Sequence, residues 1–142
     1  MKFHQHAVIS LGISGLLYLI FKSWALAGAS LIAGVFVDLD YGADYLLQRG
    51  FPLRIKDIFQ AYREDSLLKV RFLHGWEWLP VWGMAAWLTD WNPWITGTLI
   101  GFAQHLVLDK VNHGENFLCY SFLWRWKKGF KSEDIFMKSG RR

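Results

Sequence analysis

The chain has little cysteine, and it lacks the common phosphate-binding and nucleophile motifs. Its one cysteine, Cys119, cannot form an internal disulfide, and a single thiol excludes a cysteine-based zinc knuckle. Any bound metal must therefore be held by histidine and carboxylate side chains. Glycine-rich phosphate loops and the Gly-x-Ser-x-Gly nucleophile elbow are also absent from the sequence.

Length and composition limit the class of protein. A chain of 142 residues has the size of one domain, and 53% apolar with 18% aromatic residues is too hydrophobic for disorder. We therefore predict a single domain over residues 1–142. The formal net charge of +4 favours acidic partners such as anionic lipid headgroups or phosphorylated substrates. Charge alone does not exclude nucleic acid, but we expect no nucleic-acid partner, and the sequence leaves the oligomeric state open.

Four apolar runs without lysine, arginine or carboxylate dominate the sequence. They cover residues 7–21, 24–37, 78–89 and 91–108, and Asp90 separates the third run from the fourth. Such runs predict an all-α helical bundle, with tight turns at residues 22–23 and 90–93. At 1.5 Å per residue the runs are roughly 18 to 27 Å long, shorter than the ~30 Å hydrocarbon core of a bilayer. Their length therefore leaves a soluble bundle open as an alternative.

Positive charge is distributed unevenly along the chain. If the four runs cross a membrane, the N-terminus, residues 38–77 and the tail from residue 109 lie on one face. Every lysine and arginine except Lys22 falls on that face. This is the positive-inside pattern, and it predicts that both termini are cytoplasmic.

Tryptophans and small residues also favour a membrane. Tryptophans lie near both ends of the runs, where an aromatic belt would form. The Gly97-x-x-x-Gly101 pair is typical of close helix packing in lipid. We therefore predict a polytopic membrane bundle over residues 4–113, with about four short transmembrane helices. A signal peptide cleaved after Ala27 is disfavoured because apolar character resumes directly through Val37.

Two other segments are predicted to lie at the membrane interface. The charged stretch 56–71 lies in a segment whose apolar residues fall on a rough 3.6-residue period. Residues 116–126 are aromatic but too short to span a bilayer, and a basic tail follows them. We predict that the segment 114–142 forms an interfacial helix and tail that contact anionic lipids.

Metal-ligand side chains recur at the predicted cytoplasmic end of each apolar run. Folding the runs into a bundle would bring these separated positions into one neighbourhood. An ionisable residue inside an apolar run, as His105 is, indicates a functional site by default. The clusters are His4 with His6, Asp38 with Asp40, His74 with Glu77, and His105 with Asp109, followed by His113.

The spacing within each cluster predicts its local structure. His105 and Asp109 are four residues apart and share a helix face, so one metal can take a nitrogen and an oxygen from them. His74 and Glu77 would do the same only if their segment is helical. The two aspartates of Asp38-Leu39-Asp40 need a turn or a helix end, and the segment 4–6 suits an extended N-terminus.

These clusters contain more candidate ligands than one zinc ion takes. We predict either a two-metal site or one metal with a carboxylate left as general base, with zinc as the metal and manganese as the alternative. Six residues are the predicted ligands. Asp40 and Glu77 are predicted to act as bridging ligand or general base. The chemistry that follows is phosphoester hydrolysis on a lipid or lipid-linked substrate. The alternative is a non-enzymatic membrane protein with a structural metal or polar network. The six predicted ligands are His4, His6, Asp38, His74, His105 and Asp109.

Four short motifs resemble those of the bacterial membrane-bound metal-dependent hydrolase family, some of whose members are SOS-regulated inner-membrane proteins. The motifs are an N-terminal histidine, GVFVDLDYGADYLL, FLHGWEWLP and GFAQHLVLDKV, all within residues 4–113. The resemblance implies a multi-pass protein of the bacterial inner (cytoplasmic) membrane with a metal site at its cytoplasmic face. The family's Pro-Asp-x-Asp-His appears here without the proline and the final histidine. A weaker similarity to zinc-dependent phospholipase C implies phosphodiester substrates.

Overall fold

A computed structural model describes residues 3–52, 54–63, 70–113, 117–131 and 135, without the side chains of residues 3–5, 59, 62, 63, 112 and 113. Every element in this part of the chain is helical, which confirms the all-α prediction. The elements are α1 (Phe3–Phe21), α2 (Trp24–Phe36), α3 (Leu39–Arg49), α4 (Ile55–Arg63), α5 (Trp78–Leu88), α6 (Pro93–His113), a 3₁₀ helix (Phe117–Tyr120) and α7 (Phe122–Lys127).

The helices group into two compact units. The first contains α1, α2, α5 and α6, which are the helices of the four apolar runs. The second contains α3, α4, the 3₁₀ helix and α7. Each unit carries its own cluster of buried polar side chains.

Short turns with capping side chains join the helices of the first unit. Ser23 caps α2, since its hydroxyl accepts a hydrogen bond from the Leu26 amide at 3.2 Å. Asn92 accepts one from the Trp94 amide at 3.0 Å, and Pro93 opens α6 at the position where a helix tolerates proline best. These turns confirm the helix boundaries predicted at residues 22–23 and 90–93.

Two glycines of α6 allow its backbone to approach α2 closely. A Cβ at Gly97 would collide with the carbonyl oxygen of Leu26, and one at Gly101 would collide with that of Ser30. The Gly101 position would also place a Cβ only 2.8 Å from the Cβ of Ala33. The predicted role of this glycine pair in close helix packing is confirmed.

Replacing Gly101 by alanine is expected to destabilise the first unit by about 2 kcal/mol, because neither backbone can yield to the added methyl group. Gly15→Ala is the matched control, since no described atom lies within 4 Å of a Cβ at that position of α1. The control should stabilise the protein slightly, by up to about 1 kcal/mol, through helix propensity. Denaturant unfolding followed by circular dichroism measures both, and equal effects would contradict the packing argument.

One local prediction was wrong, and the condition set for another was not met. The N-terminal segment is not extended, because α1 begins at Phe3 and already includes residues 4–6. Residues 70–77 form turns rather than a helix, so the i, i+3 spacing of His74 and Glu77 does not place them on a common helix face. Arg71 has a positive φ of 41°, which a continuous right-handed helix does not allow.

One helical stretch in the described part of the chain, Trp24–Arg49, is long and apolar enough to cross a membrane. A shorter apolar helical stretch covers His6–Phe21. The helix that matches the third apolar run, α5, has 11 residues. Length and composition alone do not separate a membrane span from the core helix of a soluble protein.

The second unit has a smaller apolar core. Tyr45 of α3 packs with Ala61 of α4, and the half-buried Ile58 contacts them. The hydroxyl of Ser121 caps α7 by accepting from the Trp124 amide at 3.2 Å. Helices α4 and α7 lie in the two segments that were predicted to be interfacial helices.

Candidate metal centre

Four of the predicted ligands meet at one end of the first unit. His6 lies near the start of α1, Asp38 follows the end of α2, and His105 and Asp109 lie one turn apart near the end of α6. Because a two-residue turn joins α1 to α2, the start of one helix lies beside the end of the other. The side chains of all four are nearly or fully buried, with at most 9% of any of them exposed.

The contacts of this cluster run between imidazole nitrogens and carboxylate oxygens. His6 Nε2 lies 2.9 Å from Asp109 Oδ1, a hydrogen-bond distance. His105 Nε2 lies 3.4 Å from Asp38 Oδ1 and 3.6 Å from Asp109 Oδ2. The two imidazole rings stack with their centroids 4.5 Å apart. The candidate ligand atoms of His6, His105 and Asp109 all lie within 4.8 Å of one another.

The other ring nitrogen of His105 determines its tautomer. Nδ1 lies 2.8 Å from the carbonyl oxygen of Gly34. A carbonyl only accepts hydrogen bonds, so Nδ1 carries the hydrogen, and in the neutral ring Nε2 has a lone pair. That lone pair faces the carboxylate oxygens of Asp38 and Asp109. Acceptors facing acceptors repel, and either a proton on Nε2 or a metal ion between the three groups removes the repulsion.

The distances around His105 suit a metal ion better than direct hydrogen bonds. Separations of 3.4 and 3.6 Å exceed the usual range for a nitrogen–oxygen hydrogen bond. Tetrahedral zinc with bonds of roughly 2.0 to 2.2 Å places neighbouring ligand atoms about 3.4 Å apart. Two carboxylates and two neutral imidazoles together carry two negative charges, which a divalent cation balances. The donor set could therefore hold a divalent metal ion.

His6 has one ring nitrogen whose environment is incomplete. The residue is 3% exposed, and Nδ1 makes no hydrogen bond to any described residue. A buried polar atom without a partner usually indicates a water, an ion or a ligand at that position. His6 Nδ1 is therefore a buried polar atom that direct contacts with described residues do not satisfy.

The second unit contains the other histidine–aspartate pair. His74 Nδ1 lies 3.1 Å from Asp40 Oδ2, and both side chains are buried. The same carboxylate accepts hydrogen bonds from the backbone amides of Leu73 and His74. One turn further along α3, the carboxylate of Asp44 accepts from the Arg71 amide at 3.3 Å. The two aspartates therefore fix the turn that carries His74.

Arg125 of α7 holds the same turn from its carbonyl side. Its guanidinium donates to the carbonyl oxygens of Arg71 at 2.9 Å and His74 at 2.7 Å, and only 1% of the residue is exposed. It also donates to the Ser121 carbonyl at 3.3 Å. Sequence reasoning missed this role, because the segment LWRWK presents Arg125 as one of several basic residues. The only local signal is an arginine between two tryptophans.

The remaining predicted residues have less defined positions. Glu77 is half-buried and directly precedes α5 in the first unit. The side chains of His4 and His113 lie outside the described residues. Comparison of the chain with protein-family models, curated proteins and solved structures found no match.

Proposed function

We propose that this chain is a membrane-embedded, metal-dependent hydrolase that acts on a phosphoester of a lipid or lipid-linked substrate. The observation that carries the proposal is the buried group of His6, His105 and Asp109, with Asp38 beside it. These side chains present two imidazoles and two carboxylates to a common centre. Burying ionisable side chains in an apolar helical bundle costs free energy of folding, so such residues usually have a function.

The surface of the first unit supports a membrane location. Large apolar side chains are exposed on α1, α5 and α6, including Leu11, Ile20, Trp87 and Trp94. A water-soluble protein rarely exposes so much apolar surface. At 1.5 Å per residue α1 and α6 are roughly 28 and 31 Å long, close to the thickness of the hydrocarbon core. The proposal includes a multi-pass topology in the bacterial inner membrane with both termini cytoplasmic, as the distribution of lysine and arginine predicts.

The ligand roles follow from donor chemistry. His6, His105, Asp109 and Asp38 of the first unit would hold the metal. That His74 and His4 are ligands stays a prediction. A divalent ion held by these residues would supply Lewis-acid chemistry for a phosphoryl oxygen and for an attacking water. The Gly34 carbonyl orients the His105 ring, as a carbonyl or carboxylate commonly does for a metal-binding histidine.

That Asp40 and Glu77 act in proton transfer or metal bridging stays a prediction. The contacts of Asp40 give it a further role, since one carboxylate oxygen accepts from two backbone amides and touches His74 Nδ1. A carboxylate held in this way orients a histidine well. Glu77, half-buried at the start of α5, is then the better candidate for a general base.

Helix α7 suits contact with an anionic lipid surface. Leu123 and Trp126 are exposed apolar residues, and Lys127 and Lys128 follow on the same short helix and its C-terminal cap. Apolar side chains next to lysines are typical of segments that bind at an anionic interface. Binding there would bring phosphate-containing headgroups to the protein, which is the substrate chemistry that the weaker similarity to zinc-dependent phospholipase C also implies.

A second candidate function is a non-enzymatic membrane protein with a structural polar network. The 2.9 Å contact between His6 and Asp109 favours it, because histidine and aspartate can satisfy each other without a metal. In that case protons on the imidazoles, rather than a divalent cation, would balance the two carboxylates.

The test compares phosphate or headgroup release by two aspartate variants. Purified protein in phosphatidylglycerol vesicles is assayed with Zn²⁺ or Mn²⁺ as the only added divalent metal. Asp109→Asn should lower the rate at least about 100-fold, because it removes the carboxylate that contacts both His6 and His105 at the proposed metal site. Asp90→Asn is the control, since Asp90 lies in an exposed turn with a φ of 49°, which asparagine also adopts readily.

Wild-type activity that persists in Asp109→Asn would contradict the assigned site. Metal bound by the wild-type protein without any phosphoester hydrolysis would favour the structural network instead.

A further inference from the structure

Three helices of the first unit carry polar or small residues at three successive turns. On α1 these are His6, Ser10 and Ser14; on α2 and just beyond it Ser30, Gly34 and Asp38; and on α6 Gly101, His105 and Asp109. In each helix the residues are four apart, so they lie on one face. The contacts align the helices level by level. His6, Asp38 and Asp109 form the outer level, and His105 lies one turn deeper beside Gly34. The innermost level contains Ser14, Ser30 and Gly101.

The middle level contains a direct polar contact between helices. Gln104 Nε2 of α6 donates to Ser10 Oγ of α1 at 3.0 Å. Gly34 of α2 makes room for this pair, because a Cβ there would lie 2.5 Å from the Gln104 nitrogen and 2.8 Å from the Ser10 oxygen. The amide oxygen of Gln104 is buried and makes no hydrogen bond within the part of the chain that the structure describes.

The innermost level contains two buried hydroxyl groups. Ser14 of α1 is 4% exposed and Ser30 of α2 is 0% exposed. Neither hydroxyl has a hydrogen-bond partner among residues 3–52, 54–63, 70–113, 117–131 and 135. Ser14 follows Ser10 by one turn, and Ser30 precedes Gly34 by one turn, so each serine lies on the helix face that carries the middle level.

Four buried polar atoms of α1, α2 and α6 make no hydrogen bond within the described part of the chain, and we call them the polar column. They are Ser14 Oγ, Ser30 Oγ, Gln104 Oε1 and His6 Nδ1. Native proteins leave few buried polar atoms unpaired, and ordered water commonly satisfies those that direct contacts do not reach. A water with two to four polar partners is stable even in an otherwise apolar interior.

We propose that this column is a binding site for ordered water between α1, α2 and α6, contiguous with the histidine–aspartate cluster. The waters accept from the hydroxyls of Ser14 and Ser30, donate to Gln104 Oε1, and provide a partner for His6 Nδ1. The site goes beyond the proposed function, since it requires neither a bound metal nor a substrate.

The experiment uses the full chain, treated with EDTA so that any metal is removed. A high-resolution structure is expected to contain ordered water within hydrogen-bond distance of both Ser14 Oγ and Ser30 Oγ. Ser14→Ala and Ser30→Ala are each expected to lower the folding equilibrium constant about fivefold, because each removes one partner of a buried water. Unfolding in detergent measures this change.

The control variant is Thr98→Val, which removes a hydroxyl from the same bundle. Thr98 is half-buried on α6, and its hydroxyl donates to the Trp94 carbonyl at 2.9 Å in a solvent-exposed hydrogen bond. Its replacement should leave the equilibrium constant within about twofold of the wild type.

Two results would overturn the proposal. One is a structure in which Ser14 Oγ or Ser30 Oγ has no ordered water within hydrogen-bond distance. The other is that both alanine variants are at least as stable as the wild type. Alanine has a higher helix propensity than serine, so the variants would be as stable or more stable if the hydroxyls bound no water. Both results can be obtained on metal-free, inactive protein, so they are distinct from failure of the hydrolase proposal.

Discussion

Replacing His105 by asparagine is expected to reduce the metal content of the purified protein to less than about one tenth of the wild-type value, and to weaken metal binding at least about 100-fold. The imidazole lies between the carboxylates of Asp38 and Asp109, so its loss removes the central donor. Asparagine retains an amide hydrogen that can donate to the Gly34 carbonyl, as Nδ1 does in the wild type. The substitution therefore removes Nε2 while preserving the contact between α6 and α2.

Elemental analysis of protein purified without chelator gives the metal content, and zinc titration against a competing chelator gives the affinity. Lys110→Gln is the control, since Lys110 is exposed on the same helix and offers no metal ligand of the predicted type. The control should bind metal as the wild type does. If wild type and His105→Asn contain the same near-zero amount of metal, the metal centre is refuted and the structural polar network is favoured.

The sequence predicted the parts of this site that depend on local patterns. Four apolar runs indicate four helices, and residues four apart on one helix, such as His105 and Asp109, must share a face. Asp38 was expected at a turn or a helix end, and it lies in the turn after α2. The glycine spacing on α6 correctly indicated close helix packing, because only a residue without a Cβ permits it.

The parts that could not be predicted depend on contacts between distant positions. The hydrogen bond between His105 and the Gly34 carbonyl joins residues 71 positions apart, and it follows from the packing of α2 on α6. Nothing in the local sequence of either residue specifies it. The prediction of an extended N-terminus was wrong. Histidine and glutamine do not mark where a helix starts, and the helix of the first apolar run begins before the run itself, at Phe3.

The turn that carries His74 illustrates the same limit. The spacing of His74 and Glu77 is compatible with a helix, but backbone groups of residues 71–74 bond instead to side chains of α3 and α7. A local pattern cannot reveal that Asp40, Asp44 and Arg125 compete with helix formation in this way. Tertiary contacts override propensity where buried charged groups supply the hydrogen bonds.

Replacing Arg125 by methionine is expected to lower the free energy of unfolding by about 3 kcal/mol. Methionine fills much of the volume of the arginine stem but donates no hydrogen bond. The carbonyl oxygens of Arg71 and His74 would then lose donors at 2.9 and 2.7 Å inside the protein. Because the same turn is fixed on its amide side by Asp40, its release should also speed hydrogen exchange at the amides of Leu73 and His74.

Lys127→Met is the matched control, because Lys127 lies on the same helix but is exposed. Its effect should stay within about 0.5 kcal/mol. Arg125→Lys should fall between the two, since one ammonium group cannot reproduce the fork of donors that reaches both carbonyl oxygens. Denaturant unfolding and hydrogen exchange by mass spectrometry measure these differences. Equal stability and equal exchange in Arg125→Met and Lys127→Met would show that the turn holds His74 without Arg125, and the carboxylates of α3 would then be sufficient to position the histidine.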